Sequence, residues 1–257
     1  MSVIEESKEN KEKKLKIALC LSGQPRFYNS KSYLSIKKEI LDKYDTDVFI
    51  HTWLSSNPDY KYPYASWSGI KDNISFSDPS EVKNEIIKLY NPKMITTEEP
   101  RIFRLSNLDE NKIYTKKEIE IDYLRMNVPS SFYSMSYANN LRKEYSTKSK
   151  VKYDWVIRAR FDTFLLGFPN LALLDNTNLF VPNNCPNPEV CNDNFSWCGP
   201  DIANIVYDVY NNLSNFEEKY NFSPERIWFY YISSISKLNI IKMNFYQNFS
   251  RDWSKDI

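Results

Sequence analysis

The stretch Tyr153–Leu166, YDWVIRARFDTFLL, constrains this chain more than any other, because it has the composition of a buried strand and carries charge where such a strand has none. Trp155, Val156, Ile157, Phe161, Phe164 and Leu165 give it the β-branched and aromatic character of a sheet interior. A period of two sets Asp154, Val156, Arg158, Arg160 and Asp162 on one face, and Trp155, Ile157, Ala159 and Phe161 on the other. Arginines and carboxylates on a buried strand are costly unless they are paired or face a polar ligand. Two readings stay open: an internal Arg–Asp ion-pair ladder, or a binding site at a strand end. Buried charge at a strand end more often marks a site than adds stability.

Apolar patterning elsewhere predicts strands alternating with helices. Lys16–Leu21 reads as a strand that leaves through the sharp turn Ser22-Gly23-Gln24-Pro25. Tyr33, Ile36, Ile40 and Leu41 follow helical spacing, and DVFIHTW, residues 47–53, reads as a second strand. Residues 57–77 are rich in Tyr, Pro, Asp and Ser and read as a long loop. Asp78-Pro-Ser-Glu starts a helix running to Leu89 with Ser80 as its cap, and Lys93–Thr97 is a short third strand. Residues 101–129 are charged and only weakly periodic, and Ser130 or Ser131 is the expected cap of the next helix, with Phe132, Met135, Ala138, Leu141 and Tyr145 as its apolar stripe.

Beyond the charged strand a short strand is expected near Leu179–Val181, then a helix opened by Gly199-Pro200-Asp201 that buries Ile202, Ile205, Val206, Val209 and Leu213. Glu225–Ile235 reads as helical and Ile240–Tyr246 as a closing strand. The alternation predicts an α/β fold with a mainly parallel sheet flanked by helices. It occupies one domain, residues 15–257, behind a flexible charged tail, residues 1–14.

Composition narrows the function classes. Lys+Arg 34 against Asp+Glu 33 leaves no overall field to attract nucleic acid or an anionic membrane. With only Gly 4, and those far apart at Gly23, Gly69, Gly167 and Gly199, neither a dinucleotide fingerprint nor a P-loop can be built. Cys20 lies in an apolar run, and Cys185, Cys191 and Cys198 are too loosely spaced for a structural zinc site. Clustering of Cys185 and Cys191 permits a disulfide in an oxidising compartment without demanding one. The first residues, MSVIEESKENKEKK, lack the apolar core of a secretory signal, and no stretch has the apolar length of a membrane span, so a cytoplasmic protein is expected.

Ligands of such sheets bind outside the carboxyl ends of the strands. Three candidate segments obey that rule: Ser22-Gly23-Gln24-Pro25-Arg26, His51-Thr52-Trp53 and Arg160-Phe161-Asp162. Gly23 lets backbone approach a ligand, and Arg26 is placed to pair with a phosphate, although the segment also fits an ordinary turn. His51 is the one histidine, suited either to a structural hydrogen bond or to a catalytic or metal-ligand role. Asp162 can hold a divalent cation that bridges a diphosphate. Asp193, between Asn192 and Asn194, fits a general base or an Asx turn.

Taken in order, KIALCLSGQPRFY, DVFIHTW, SSFYSMSYANNLRKEY, YDWVIRARFD and NDNFSWCGPDIANIVYDVY resemble a group of GT-A-type glycosyltransferases found in bacterial surface-polysaccharide clusters and in large DNA viruses. The resemblance runs from about Lys16 to Tyr246. It implies a Rossmann-like GT-A sheet, a nucleoside diphosphate sugar as donor, a glycan or glycoconjugate acceptor, and a divalent cation, Mn2+ or Mg2+, at the end of the charged strand. The setting would be the cytoplasm, or the host cytoplasm for a viral member. Carried over, Ser22, Gly23, Gln24, Arg26, His51, Arg158 and Arg160 line the donor pocket, Asp162 is the metal ligand and Asp193 the acceptor-side base. Arg160 replaces the first acid of the family's Asp-X-Asp motif, so Arg158 and Arg160 are alternative partners for the diphosphate. Two other classes compete. One is a non-catalytic carbohydrate-binding module built on the aromatics of residues 60–67, and the other is a sugar nucleotidyltransferase.

Overall fold

The computed structural model describes residues 14–61, 78–109 and 111–249. The charged tail up to residue 13, most of the long loop and nearly all of the aromatic run at 60–67 lie outside the described residues. At the centre is β1 (Lys16–Gly23), flanked by β2 (Asp45–Trp53) and β4 (Trp155–Ala159), with β3 (Met94–Glu98) beyond β2. The sheet continues past β4 through β7 (Ser196–Cys198), β6 (Leu179–Pro182) and β8 (Ile240–Met243), giving seven strands in the order β3-β2-β1-β4-β7-β6-β8. All neighbours pair in parallel except β7, which runs antiparallel to both β4 and β6. The chain is thus α/β with a mainly parallel, Rossmann-like sheet, consistent with the GT-A-like expectation. A separate ribbon joins β5 (Thr163–Leu166) to β9 (Tyr246–Phe249).

Strand alternation sorts the core into two layers, one on each face of the sheet. Ile17, Leu19, Leu21, Val48, Ile50, Trp155, Ile157 and Ala159 pack with Val82 and Ile86 of α2 (Pro79–Tyr90) and with Ile36 of α1 (Lys31–Ile36). Ala18, Cys20, Phe49, Val156 and Cys198 pack on the other face against α3 (Lys116–Ser149), α4 (Pro200–Val206) and α5 (Pro224–Ser233). The two faces expected of the charged strand are those observed over Trp155–Ala159, with Arg158 on the side of Val156 under α3. The strand ends at Ala159, however, and Arg160, Phe161 and Asp162 lie in the turn that leads to β5. None of the helices among the described residues is long and apolar enough to cross a membrane.

Several expected boundaries move. Helix α3 starts fourteen residues or more before Ser130, with Thr115 and Glu118 forming a reciprocal capping box. It passes through Pro129, which a sequence pattern reads as a break. Packing of Val128 and Phe132 in the core holds the helix across the proline, while Asn127 Nδ2 donates to the Tyr123 carbonyl (2.7 Å) and Ser130 Oγ to that of Asn127 (2.8 Å). The cap of α2 is Asp78 rather than Ser80, its carboxylate accepting from the backbone of Ser80 (2.8 Å) and Glu81 (3.1 Å). Helix α4 ends at Val206 and a 3-10 turn, Val209–Asn215, follows, which leaves Ile205 52% exposed rather than buried. The closing strand is split into β8 and β9, and the three-residue β7 carries too short a pattern to be read as a strand.

Candidate functional site

The carboxyl ends of β1, β2 and β4 share one edge of the sheet, and because β7 is antiparallel its beginning arrives at the same edge. Ser22 stands beside His51, Gly23 beside Thr52, and Arg158 beside Ser196. Gly23 has φ +106°, a conformation that side chains strain to adopt, while a Cβ there would meet nothing within 4 Å. Backbone conformation, rather than lack of room, therefore calls for glycine. The turn is fixed on both sides: the Gly23 N–H donates to Ser134 Oγ (2.7 Å), and Thr52 Oγ1 donates to the Gly23 carbonyl (2.8 Å).

Ser134, on α3, also meets His51 Nδ1 at 2.7 Å. The same hydroxyl lies 3.2 Å from the His51 carbonyl, to which it can donate, so the tautomer decides which partner of the Nδ1 contact gives the proton. Nε2 faces Glu98 Oε1 at 3.6 Å, too far for a hydrogen bond. His51 is completely buried among the rings of Trp53 (4.9 Å between centroids), Tyr137 (4.6 Å) and Tyr133 (5.5 Å). Burial lowers its pKa to about 4 against the pull of Glu98, so the imidazole is neutral at physiological pH. The structure places His51 within the wall behind the Ser22–Gly23 turn.

Arg158 is 1% exposed, and its Nη1 donates to the Asp193 carbonyl. Burial lowers its pKa to about 10, with Asp193 opposing the drop, so it stays cationic at neutral pH. Beyond the end of β4, Arg160 grips Asp162 through Nε to Oδ1 (2.9 Å) and Nη2 to Oδ2 (2.5 Å), and reaches Asn194 Oδ1 through Nη1 (2.8 Å). Of the two readings of the charged strand, the Arg–Asp pairing is observed for Arg160, whereas Arg158 is bonded to a backbone carbonyl.

The 192–195 loop is an Asx turn. Asn192 Oδ1 accepts from the backbone of Asn194 (2.9 Å) and Phe195 (3.0 Å), while its amide donates to Gln247 (2.8 Å) and Asn184 (3.1 Å). This clamp holds the Asp193 carboxylate, 5% exposed and accepting from Asn194 Nδ2 (2.9 Å), at the sheet edge. Burial raises the Asp193 pKa to about 6, Glu225 adding to the rise while Arg158 and Arg160 oppose it.

Ser22 Oγ, Gln24 Oε1, His51 Nε2, Trp53 Nε1 and Arg158 Nε are all buried with no hydrogen-bond partner among the described residues. Buried polar atoms are nearly always bonded, so this gathering on three adjacent strands and their turns has the character of a polar binding site. Other orphaned atoms, on Trp197, Glu217 and Trp228, belong to different parts of the chain. Arg26 lies in the turn, partly exposed.

A divalent cation fits these side chains poorly. Among the described residues no group of three or more His, Cys, Asp or Glu side chains gathers to hold one, and both oxygens of Asp162 are occupied by Arg160. Hard cations require several oxygen donors together.

The sequence pattern brought the three strand-end segments and the Asp193 loop to one edge, as observed, and missed Ser134, Glu98 and Glu225. Ser134 gave a faint signal, a small polar residue directly beside the apolar stripe of its helix.

No protein-family model matches the chain, and no curated protein matches it. Its fold is similar to that in the crystal structure of a glycosyltransferase involved in the glycosylation of the major capsid of PBCV-1, at 10% identity over 90% of this chain and 82% of that one, with a TM-score of 0.37. A likeness that distant carries no weight as to function.

Proposed function

We propose that this protein is a glycosyltransferase that binds a nucleoside diphosphate sugar at the carboxyl edge of β1, β2 and β4 and passes the sugar to a hydroxyl of a glycan. The observation that carries the proposal is the set of orphaned buried polar atoms on Ser22, Gln24, His51, Trp53 and Arg158, the last belonging to a buried guanidinium. An anionic ligand can accept from Ser22 Oγ, Trp53 Nε1 and Arg158, while hydroxyl or N–H groups of the same ligand can donate to Gln24 Oε1. The sequence resemblance narrows that ligand to a nucleotide sugar.

The side chains suit the reaction. Charge develops on the departing diphosphate, and fixed cations aimed at it lower the barrier because they need no reorganisation. Arg158 is fixed by burial and by its bond to the Asp193 carbonyl, and Arg160 by its grip on Asp162 and Asn194. Gly23 presents backbone at the turn where open space lies above it. For transfer with inversion, Asp193 takes the proton of the acceptor hydroxyl, and a pKa of about 6 leaves it ionised and basic near neutral pH.

The test is incubation with a panel of nucleotide sugars, reading release of nucleoside diphosphate with and without glycan acceptors. Acceptor-stimulated release supports the proposal. Pyrophosphate as product would instead indicate a sugar nucleotidyltransferase, and sugar binding without turnover a carbohydrate-binding module.

A further inference from the structure

We propose that the protein holds the diphosphate of its donor without a divalent cation, the Arg160 guanidinium standing where a cation would sit and Asp162 serving to aim it. The proposal rests on the nucleotide-sugar reading above.

Among the described residues, Arg160 donates twice to the Asp162 carboxylate (2.9 and 2.5 Å) and once to Asn194 (2.8 Å). Its plane is thereby fixed. The Arg160 side chain is still 30% exposed, whereas that of Asp162 is 6% exposed. The group a ligand can reach at this strand end is therefore the guanidinium, with the carboxylate lying behind it.

A cation bound at Asp162 would have to break the two-pronged contact and then sit beside two positive side chains. Arg160 and Arg158 both bond to the 193–194 segment, and Arg158 is buried with its Nη1 committed to the Asp193 carbonyl, so neither can withdraw cheaply. Like charges at such range in a partly buried setting repel strongly. A diphosphate oxygen meets the opposite situation, because a guanidinium pairs well with phosphate and this one is already oriented. Asp162 is then a positioning residue: it neutralises part of the charge of Arg160 and sets its direction.

Calorimetric titration of the whole chain with UDP, GDP, ADP and dTDP, once with Mn2+ and once with EDTA, tests the proposal. The expected result is a diphosphate whose Kd changes no more than about twofold between the two buffers, a difference well under 1 kcal/mol. In EDTA, Arg160→Ala should weaken that binding by about 10- to 150-fold, the loss expected for charge-assisted hydrogen bonds. Arg160→Lys, which keeps the charge but not the fork, should fall in between, with thermal melts establishing that both variants fold. Asp162→Asn should also weaken binding and gain no response to Mn2+. A diphosphate that binds at least about tenfold more tightly with Mn2+ than with EDTA, in a manner abolished by Asp162→Asn, would overturn the proposal and leave the nucleotide-sugar reading standing. Absence of binding by all of the diphosphates in both buffers would overturn that reading, and the proposal with it.

Discussion

Asp193 and His51 are buried titratable groups whose protonation pulls stability in opposite directions, and the consequences can be separated by pH. Asp193 has a folded pKa raised to about 6, so above that pH the fold carries a buried carboxylate that the unfolded chain would hydrate. The penalty is fully present at neutral pH and disappears as pH falls through 6 toward 4, with a size of roughly 3 kcal/mol. His51, with a folded pKa lowered to about 4, behaves in the reverse sense. Its unfolded form takes up a proton near 6.5, so the stability it confers as a neutral ring is present above that value and is lost as pH falls toward 4, again by roughly 3 kcal/mol. In the intact protein the two slopes offset each other. Asp193→Asn should therefore raise the urea midpoint at pH 7.5 and uncover a steep loss of stability between pH 6.5 and 4, measurable by denaturation at a series of pH values. The same variant should cut transfer by about 10²–10⁴-fold, the range of a positioned general base. Wild-type transfer should decline as pH drops through about 6, where the base takes up its proton. A variant that is both less stable at neutral pH and fully active would contradict the role given to this carboxylate.

At the scale of elements, the site depends on how α3 and β1 meet. Ser134 accepts from the Gly23 N–H and contacts His51 Nδ1, both at 2.7 Å, so one hydroxyl from a helix fixes the exits of two strands. Ser134→Ala leaves both groups buried without that partner and should cost about 1–3 kcal/mol in urea unfolding. Gly23→Ala acts on the backbone alone, since the added methyl meets open space, and a left-handed alanine costs about 1–2 kcal/mol. A variant at Gly23 as stable as wild type would mean the turn can relax. Most of the helices and strands were legible from their periodicity, and the faces of β4 were assigned correctly because alternation in a buried strand admits only one assignment. The front of α3 was not legible. Pro129 carries a stop signal, and the packing of Val128 and Phe132 that overrides it is a property of the assembled core. The three residues of β7 were equally hidden, for so short a strand is defined by its neighbours on either side.

For the whole molecule, that hidden strand decides the geometry of the site. Because β7 runs antiparallel between β4 and β6, its leading loop delivers Asp193 and Asn194 to the edge where β1, β2 and β4 end. A parallel strand in the same place would carry its N-terminal loop to the opposite edge. The sequence pattern therefore located the strand-end turns and associated the Asp193 loop with them, while the hydrogen bonds that bind loop to strand, Arg158 to the Asp193 carbonyl and Arg160 to Asn194, depend on a topology that no local pattern reveals. Asp162 shows the same dependence: in sequence its carboxylate fits either a metal ligand or an arginine partner, and in the fold it pairs with Arg160. The central claim is that one edge, formed by residues 22–26, 158–162 and 192–194, receives a nucleoside diphosphate. Hydrogen-exchange measurement with and without a bound nucleoside diphosphate tests it most directly. Slowed exchange confined to those segments, with the 134 region of α3 following through its bond to Gly23, is the predicted result; protection concentrated elsewhere, with these segments unchanged, would contradict it.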